Sequence, residues 1–121
     1  MADLTIYTLA EAGVDAAANF VACAAGGDKV KVRKGGVFLH AKNTNAAVRN
    51  ITLTAVKTSF AKEGFGTVTR GNIVVQVPAT TGERILGPIP PGAFGDANGD
   101  CAITYDAVTN LTIKAYECPQ V

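Results

Sequence analysis

From Val30 onward, β-branched and aromatic residues alternate with polar ones, and Gly, Asn or Pro interrupts the alternation every few residues. A period of two sends neighbouring side chains to opposite faces of a strand and cannot build one face of a helix. The pattern therefore restricts the chain to short strands with one buried side. Val30 and Val32 alternate with Lys31 and Arg33 ahead of Gly35-Gly36, and Val37-Phe38-Leu39-His40-Ala41-Lys42 runs into the turn Asn43-Thr44-Asn45. Ile51, Leu53 and Ala55 oppose Thr52, Thr54 and Val56, and Ile73, Val75 and Val77 oppose Val74 and Gln76. Pro78 closes that run because it has no N–H to give a ladder, and Glu83 to Leu86 is one more short strand. At 121 residues the chain fits one domain with one core. The expected fold is all-β, a two-layer antiparallel β-sandwich of jelly-roll or Ig-like type with about seven or eight strands.

Two stretches leave choices open. Leu4-Thr5-Ile6-Tyr7-Thr8-Leu9 alternates cleanly, which suits either the first strand of the sandwich or an extended N-terminal arm over residues 1–12. Asp15 to Ala25 is rich in alanine and ends at Gly26-Gly27. With Asp15 as cap and Gly26 as stop, it suits a short helix within 15–25. A helix of about ten residues is marginal alone, so it requires Val14, Phe20 and Val21 to find a partner surface; otherwise the segment is an ordered loop. Ser59 to Arg70, with Gly64 and Gly66 around Phe65, reads as an exposed flexible connection holding a short strand at Thr67 to Thr69.

The last third joins a corner, Gly87-Pro88-Ile89-Pro90-Pro91-Gly92, through Phe94-Gly95-Asp96-Ala97-Asn98-Gly99-Asp100 to two alternating runs, Cys101 to Tyr105 and Leu111 to Ala115. The reading is a rigid bend, a polar turn and a closing β-hairpin with odd residues opposite odd. That register disfavours a Cys101–Cys118 bridge, which would slip the pairing by one and set Tyr105 against Lys114.

No residue set spells a reaction. His40 is the only histidine, so neither a histidine pair for a metal nor a Ser-His-Asp set follows, and it reads as a strand histidine. Asp96, Asn98 and Asp100 have the spacing that opens a calcium loop. Gly99 nevertheless precedes Asp100 where the EF-hand glycine should follow it, and Ala107 stands where the bidentate Glu is required. Turn chemistry explains Asp, Asn and Gly there. Asn50-Ile51-Thr52 and Asn110-Leu111-Thr112 match a glycosylation pattern by chance within strands. Cys23, Cys101 and Cys118 have no metal spacing and read as structural thiols. No glycine-rich segment opens a helix as a phosphate loop does, and Asp28, Glu63, Glu83 and Asp106 are scattered. The chain is expected to be no enzyme and to need no cofactor or metal.

Charge narrows the partners further. The formal net charge is +1, with no basic run longer than the scattered Lys29, Lys31, Arg33 and Lys34 set, so nucleic acid is not an expected partner. No apolar run reaches the roughly 18 to 20 residues that span a bilayer, and Met1-Ala2-Asp3-Leu4-Thr5 has no signal character. No membrane partner is expected, and synthesis in a cytoplasm is. Charged residues are 17% of the chain and apolar ones 48%, a surface short of charge for a lone monomer, which favours life in an assembly.

The block from Gly87 through Asp96-Ala97-Asn98-Gly99-Asp100 to Ile103-Thr104-Tyr105-Asp106-Ala107-Val108-Thr109-Asn110-Leu111-Thr112-Ile113 resembles small tailed-bacteriophage head proteins encoded near the major capsid protein. Gly26-Gly27-Asp28-Lys29-Val30, Gly36 to Asn43 and Ile51-Thr52-Leu53-Thr54 fit the same layout, so the resemblance covers roughly Leu4 to Ala115. The alanine-rich Asp15 to Ala25 segment and the Cys118-Pro119 tail depart from it. The resemblance implies a decoration or cement protein on the virion's capsid surface, made in the host cytoplasm. It would bind the major capsid protein, bridge its subunits and stabilise the head, as a homo-oligomer, dimer or trimer. Leu4, Thr5, Ile6, Tyr7, Thr8, Phe65, Pro90, Pro91 and Phe94 are the candidate capsid contacts. The first five could add a strand to a capsid sheet edge. A tail tube or head-tail connector protein is the nearest rival. A carbohydrate-binding β-sandwich module is the rival from another class, weakened because Trp is absent and only Tyr7, Tyr105 and Tyr116 are available as tyrosine platforms.

Overall fold

A computed structural model describes residues 2–118. The strands are β1 (Ala2–Asp3), β2 (Ile6–Thr8), β3 (Val21–Ala22), β4 (Asp28–Lys31), β5 (Val37–Asn43), β6 (Arg49–Leu53), β7 (Ser59–Lys62), β8 (Gly66–Thr69), β9 (Ile73–Val77), β10 (Gly82–Leu86), β11 (Asp100–Tyr105) and β12 (Leu111–Glu117). One short helix, α1, spans Pro91–Phe94. The fold is all-β. One sheet runs β1-β4-β11-β6-β9 and the other β10-β5-β12-β2, with β3 also on β12, and among the described residues β7 pairs only with β8.

Alternation builds the core between these sheets. Val30, Ile51, Leu53, Val77, Cys101 and Ile103 face inward from the first, and Val37, Leu39, Ala41, Leu86, Leu111, Ile113 and Ala115 from the second. All lie in one buried cluster, which Phe94 and Ile89 of the corner complete. Burying such aliphatic side chains is worth roughly 1.5–3 kcal/mol each against leaving them in water, so the inward set, not the few turn contacts, holds the layers together.

The sheets are mixed, not purely antiparallel. β1 lies parallel to β4, with Ala2 opposite Asp28, and β2 lies parallel to β12, with Ile6 opposite Ala115. Residues 2–8 thus form one extended stretch that changes sheet at Leu4-Thr5, where the Leu4 N–H donates to the Lys29 carbonyl at 2.9 Å and its side chain turns into the core. The segment is a shared edge of the sandwich, and its main chain is used on one side by β4 and then β12. This split, together with the separate β3 and β7, raises the number of strands to twelve.

No helix forms within residues 15–25. Asp15 Oδ1 accepts from the Ala17 N–H at 3.0 Å, closing a turn instead of capping a helix, and Asn19 takes φ 68°. Val21–Ala22 then becomes β3 against Ile113 and Thr112. Propensity loses here because a short alanine helix gains little, whereas the turn frees main-chain carbonyls for a buried side chain on β12. The helix lies instead at the corner, where Pro91 occupies the first turn with its missing N–H.

The two closing runs do not make a hairpin. β11 pairs with β4 and β6 in one sheet, while β12 pairs with β5 in the other, so Asp106 to Asn110 arches across the core. Both arrangements bury the same alternate residues, which is why the sequence pattern does not separate them. Two glycines fix the remaining bends. A Cβ on Gly82 would collide with the Pro78 main chain, and Gly87 takes φ 128° with Phe38 against it.

Candidate functional site

The outer face of the second sheet carries an unusual arrangement. Lys114 points away from the core yet is only 2% exposed. Its ammonium donates to the main-chain carbonyls of Asp15, Ala16 and Ala18 at 3.2, 2.9 and 2.6 Å. It also lies 4.8 Å from the centroid of the Phe20 ring and 4.7 Å from that of Tyr116. Phe38 stacks on Tyr116, and Phe20 meets the His40 ring edge-on at 4.9 Å. The 15–20 segment is therefore a cover, held by a cation that would be costly to bury without those oxygens and rings.

The candidate contacts separate into three groups. Leu4 and Phe94 belong to the core, Phe94 with no exposed surface, so neither side chain is offered to a partner. Ile6, Tyr7 and Pro90 are half-buried, and Thr5, Thr8 and Pro91 are exposed. Thr8 is tied down, its hydroxyl donating to Glu117 Oε1 at 2.9 Å and the following Leu9 N–H to the Glu117 carbonyl at 3.0 Å. Phe65 stands apart at 79% exposure. It sits in the turn of the β7–β8 hairpin, where Gly64 and Gly66 take φ 81° and 79°, and the hairpin strands are exposed apart from half-buried Phe60.

Groups with chemical potential are engaged structurally. His40 is within 3.2 Å of Glu83 Oε1. Asp96 Oδ1 accepts from the N–H groups of Asn98 and Asp100 at 2.8 and 3.0 Å, and these bonds, Asp100's first, hold its carboxyl below the usual carboxylate range. Its loop is thus closed by its own main chain. The Tyr105 hydroxyl donates to buried Asp28 at 2.6 Å, and burial before all else, then that bond, pushes its ionisation upward. Cys23 and Cys101 are buried, and burial pushes their thiols up to about 12 and about 11. Neither is a poised nucleophile. Cys118 is exposed, and all three cysteines are free, with Cys101 and Cys118 belonging to different layers.

A cavity of about 350 Å³ opens beside β2 and β4, lined by Ile6, Lys31, Arg33, Lys34, Val37 and Glu117. Its cations are largely committed: Lys31 donates to the Asn98 carbonyl at 3.0 Å and pairs with Asp100 at 3.1 Å, and Arg33 donates to the same carbonyl at 2.8 Å. Among the described residues no cluster of three or more His, Cys, Asp or Glu is placed to hold a metal ion, and no helix is long and apolar enough to cross a membrane. No family model, curated protein or solved structure matches the chain.

Sequence reasoning reached Phe65 through the glycines around it but passed over Lys114. A lysine between Ile113 and Ala115 reads as a solvated outward residue, and nothing local to β12 announces that a loop from about a hundred residues earlier covers it.

Proposed function

We propose that the chain is a structural protein of a tailed-bacteriophage virion that decorates the outer capsid surface and bridges neighbouring major capsid subunits. The observation that carries this reading is the β7–β8 hairpin. Among the described residues its strands pair only with each other, and its turn presents Phe65 to solvent. An isolated two-stranded hairpin is marginal in water, and a bare aromatic at its tip matches the anchors that dominate protein interfaces. A finger of this kind gains its order and its purpose by inserting into a partner. The resemblance of the Gly87 to Ile113 block to phage head proteins supplies the partner's identity. Thr5, Ile6, Tyr7, Thr8, Phe65, Pro90 and Pro91 remain as surface from the contact set, with Phe65 as the anchor. Many copies, each with a modest interface, stabilise a shell by binding only its assembled form.

The test is co-sedimentation of the purified protein with expanded heads, together with the melting temperature of those heads. Binding in many copies, a raised melting temperature and loss of both in Phe65→Ala are expected. Failure of the wild-type chain to co-sediment, or its presence only at one vertex as a connector would be, overturns the reading.

A further inference from the structure

Among the described residues the two sheets end at four edges, and only one of these is undefended. β1, β2 and β3 are two or three residues long. β10 carries Glu83 and Arg84, and pairing it with its own copy about its centre would set Arg84 against Arg84. β9, Ile73-Val74-Val75-Gln76-Val77, has five residues, no charge and no proline within it, and among the described residues it pairs only with β6. Edge strands are ordinarily protected by brevity, lysine, proline or a bulge. β9 has none of the first three.

Its free hydrogen-bonding groups follow from strand geometry. The Thr54 N–H donates to Ala102 and the Asp106 N–H to the Asn50 carbonyl, so the even residues of β6 turn their main chain toward β11. Arg49, Ile51 and Leu53 therefore turn theirs toward Val77, Val75 and Ile73. Alternation leaves the N–H and C=O of Val74 and Gln76 pointing outward. Val74 also exposes 62% of its surface on the outer face.

We infer that β9 is a self-association edge, at which a second copy of this chain pairs antiparallel about a two-fold axis through Val75. In that register Val74 meets the second copy's Gln76 and each pair exchanges two hydrogen bonds, while Ile73 meets Val77 and Val75 meets itself. Side chains keep their faces, because even residues oppose even ones. The strand reads almost the same in both directions, and its lack of charge removes the repulsion that a self-pairing β10 would meet. The two five-stranded sheets become one continuous sheet across the dimer. A single edge buries less than the ~1,200–2,000 Å² of a standard interface, so the dimer is weak and concentration-dependent.

This inference does not rest on the capsid reading, since self-association is measured on the protein alone. The experiment is analytical ultracentrifugation of the full chain from about 1 to about 300 µM, with Val74→Pro and Gln76→Lys beside it. Val74→Pro removes an outward N–H and leaves every bond to β6, and Gln76→Lys adds an edge charge without touching the main chain. A reversible dimer is expected, weakened at least tenfold in each variant that keeps the wild-type circular dichroism, with slower hydrogen exchange at Val74 and Gln76 as it forms. Should Val74→Pro not fold, Gln76→Lys decides by itself. A chain that stays monomeric throughout the range, or a dimer indifferent to Gln76→Lys, overturns the inference.

Discussion

The Lys114 ammonium donates to the Ala18 carbonyl oxygen at 2.6 Å, which fastens a loop near the start of the chain to the outside of a strand near its end. The two residues are joined by no strand pairing. With its companions to Asp15 and Ala16, the bond ties the turn at residues 15–18 to β12.

Replacing Lys114 with Met keeps the volume of the stem and removes the charge. Three carbonyls then lose their donor, but the loop can lift and rehydrate them, so the cost is bounded at about 1–3 kcal/mol. Urea unfolding should register that loss. Hydrogen exchange and proteolysis should show the change concentrated at residues 15–20, and uniform loosening of the whole domain would contradict the assignment.

Thiol titration at about pH 8 should distinguish the cysteines by burial. Cys118 is exposed and is expected to react within the dead time of mixing, while Cys23 and Cys101 wait for unfolding. Prompt reaction of more than one thiol in the native protein would mean that the core opens readily.

Stability should fall on the alkaline side. Cys23 moves from an ordinary 9.0 to about 12 and Cys101 from 9.0 to about 11, both through burial, and Tyr105 moves up as well. The folded chain therefore keeps protons that the unfolded chain releases above pH 9.0. The stabilisation is complete below that pH and declines as pH rises through 11 and 12. Denaturation midpoints measured from neutral pH upward should stay level and then drop, with the drop reduced in Cys23→Ala relative to its own neutral value.

Phe94 and Phe65 offer a paired comparison. Phe94→Ala empties a fully buried position and should cost about 3–5 kcal/mol, whereas Phe65→Ala at an exposed tip should stay within about 0.5 kcal/mol. Thermal melts of the two variants check both. A large loss in Phe65→Ala would assign that ring to folding instead of to a partner.

The period-two runs made β5, β9 and β10 legible to within a residue, because half-buried strands advertise their faces locally, whereas the run from Ile51 to Val56 starts two residues late and outlasts β6 by three. Three features were hidden for one shared reason. Cys101 to Tyr105 and Leu111 to Ala115 alternate equally well as a hairpin or as an arch, the choice lying with β4, β6 and β5, which are remote in sequence. Residues 15–25 carry local helix signals, but the deciding interaction is with Lys114. Phe94 follows a glycine- and proline-rich corner and looks exposed, yet α1 turns its ring into the core. The candidate site was legible only at the glycine-flanked Phe65, where local conformation and exposure share a cause.

The parallel seat of β2 on β12 orders events at synthesis. Ile6, Tyr7 and Thr8 lie opposite Ala115, Tyr116 and Glu117, so β2 waits for its partner until every strand from β3 to β11 has been made, whereas β1 finds β4 early. Until then the second sheet also lacks the strand that β5 and β2 share. Closing so long a loop is slow relative to pairing neighbours, so the sandwich is completed late, once β12 has been made.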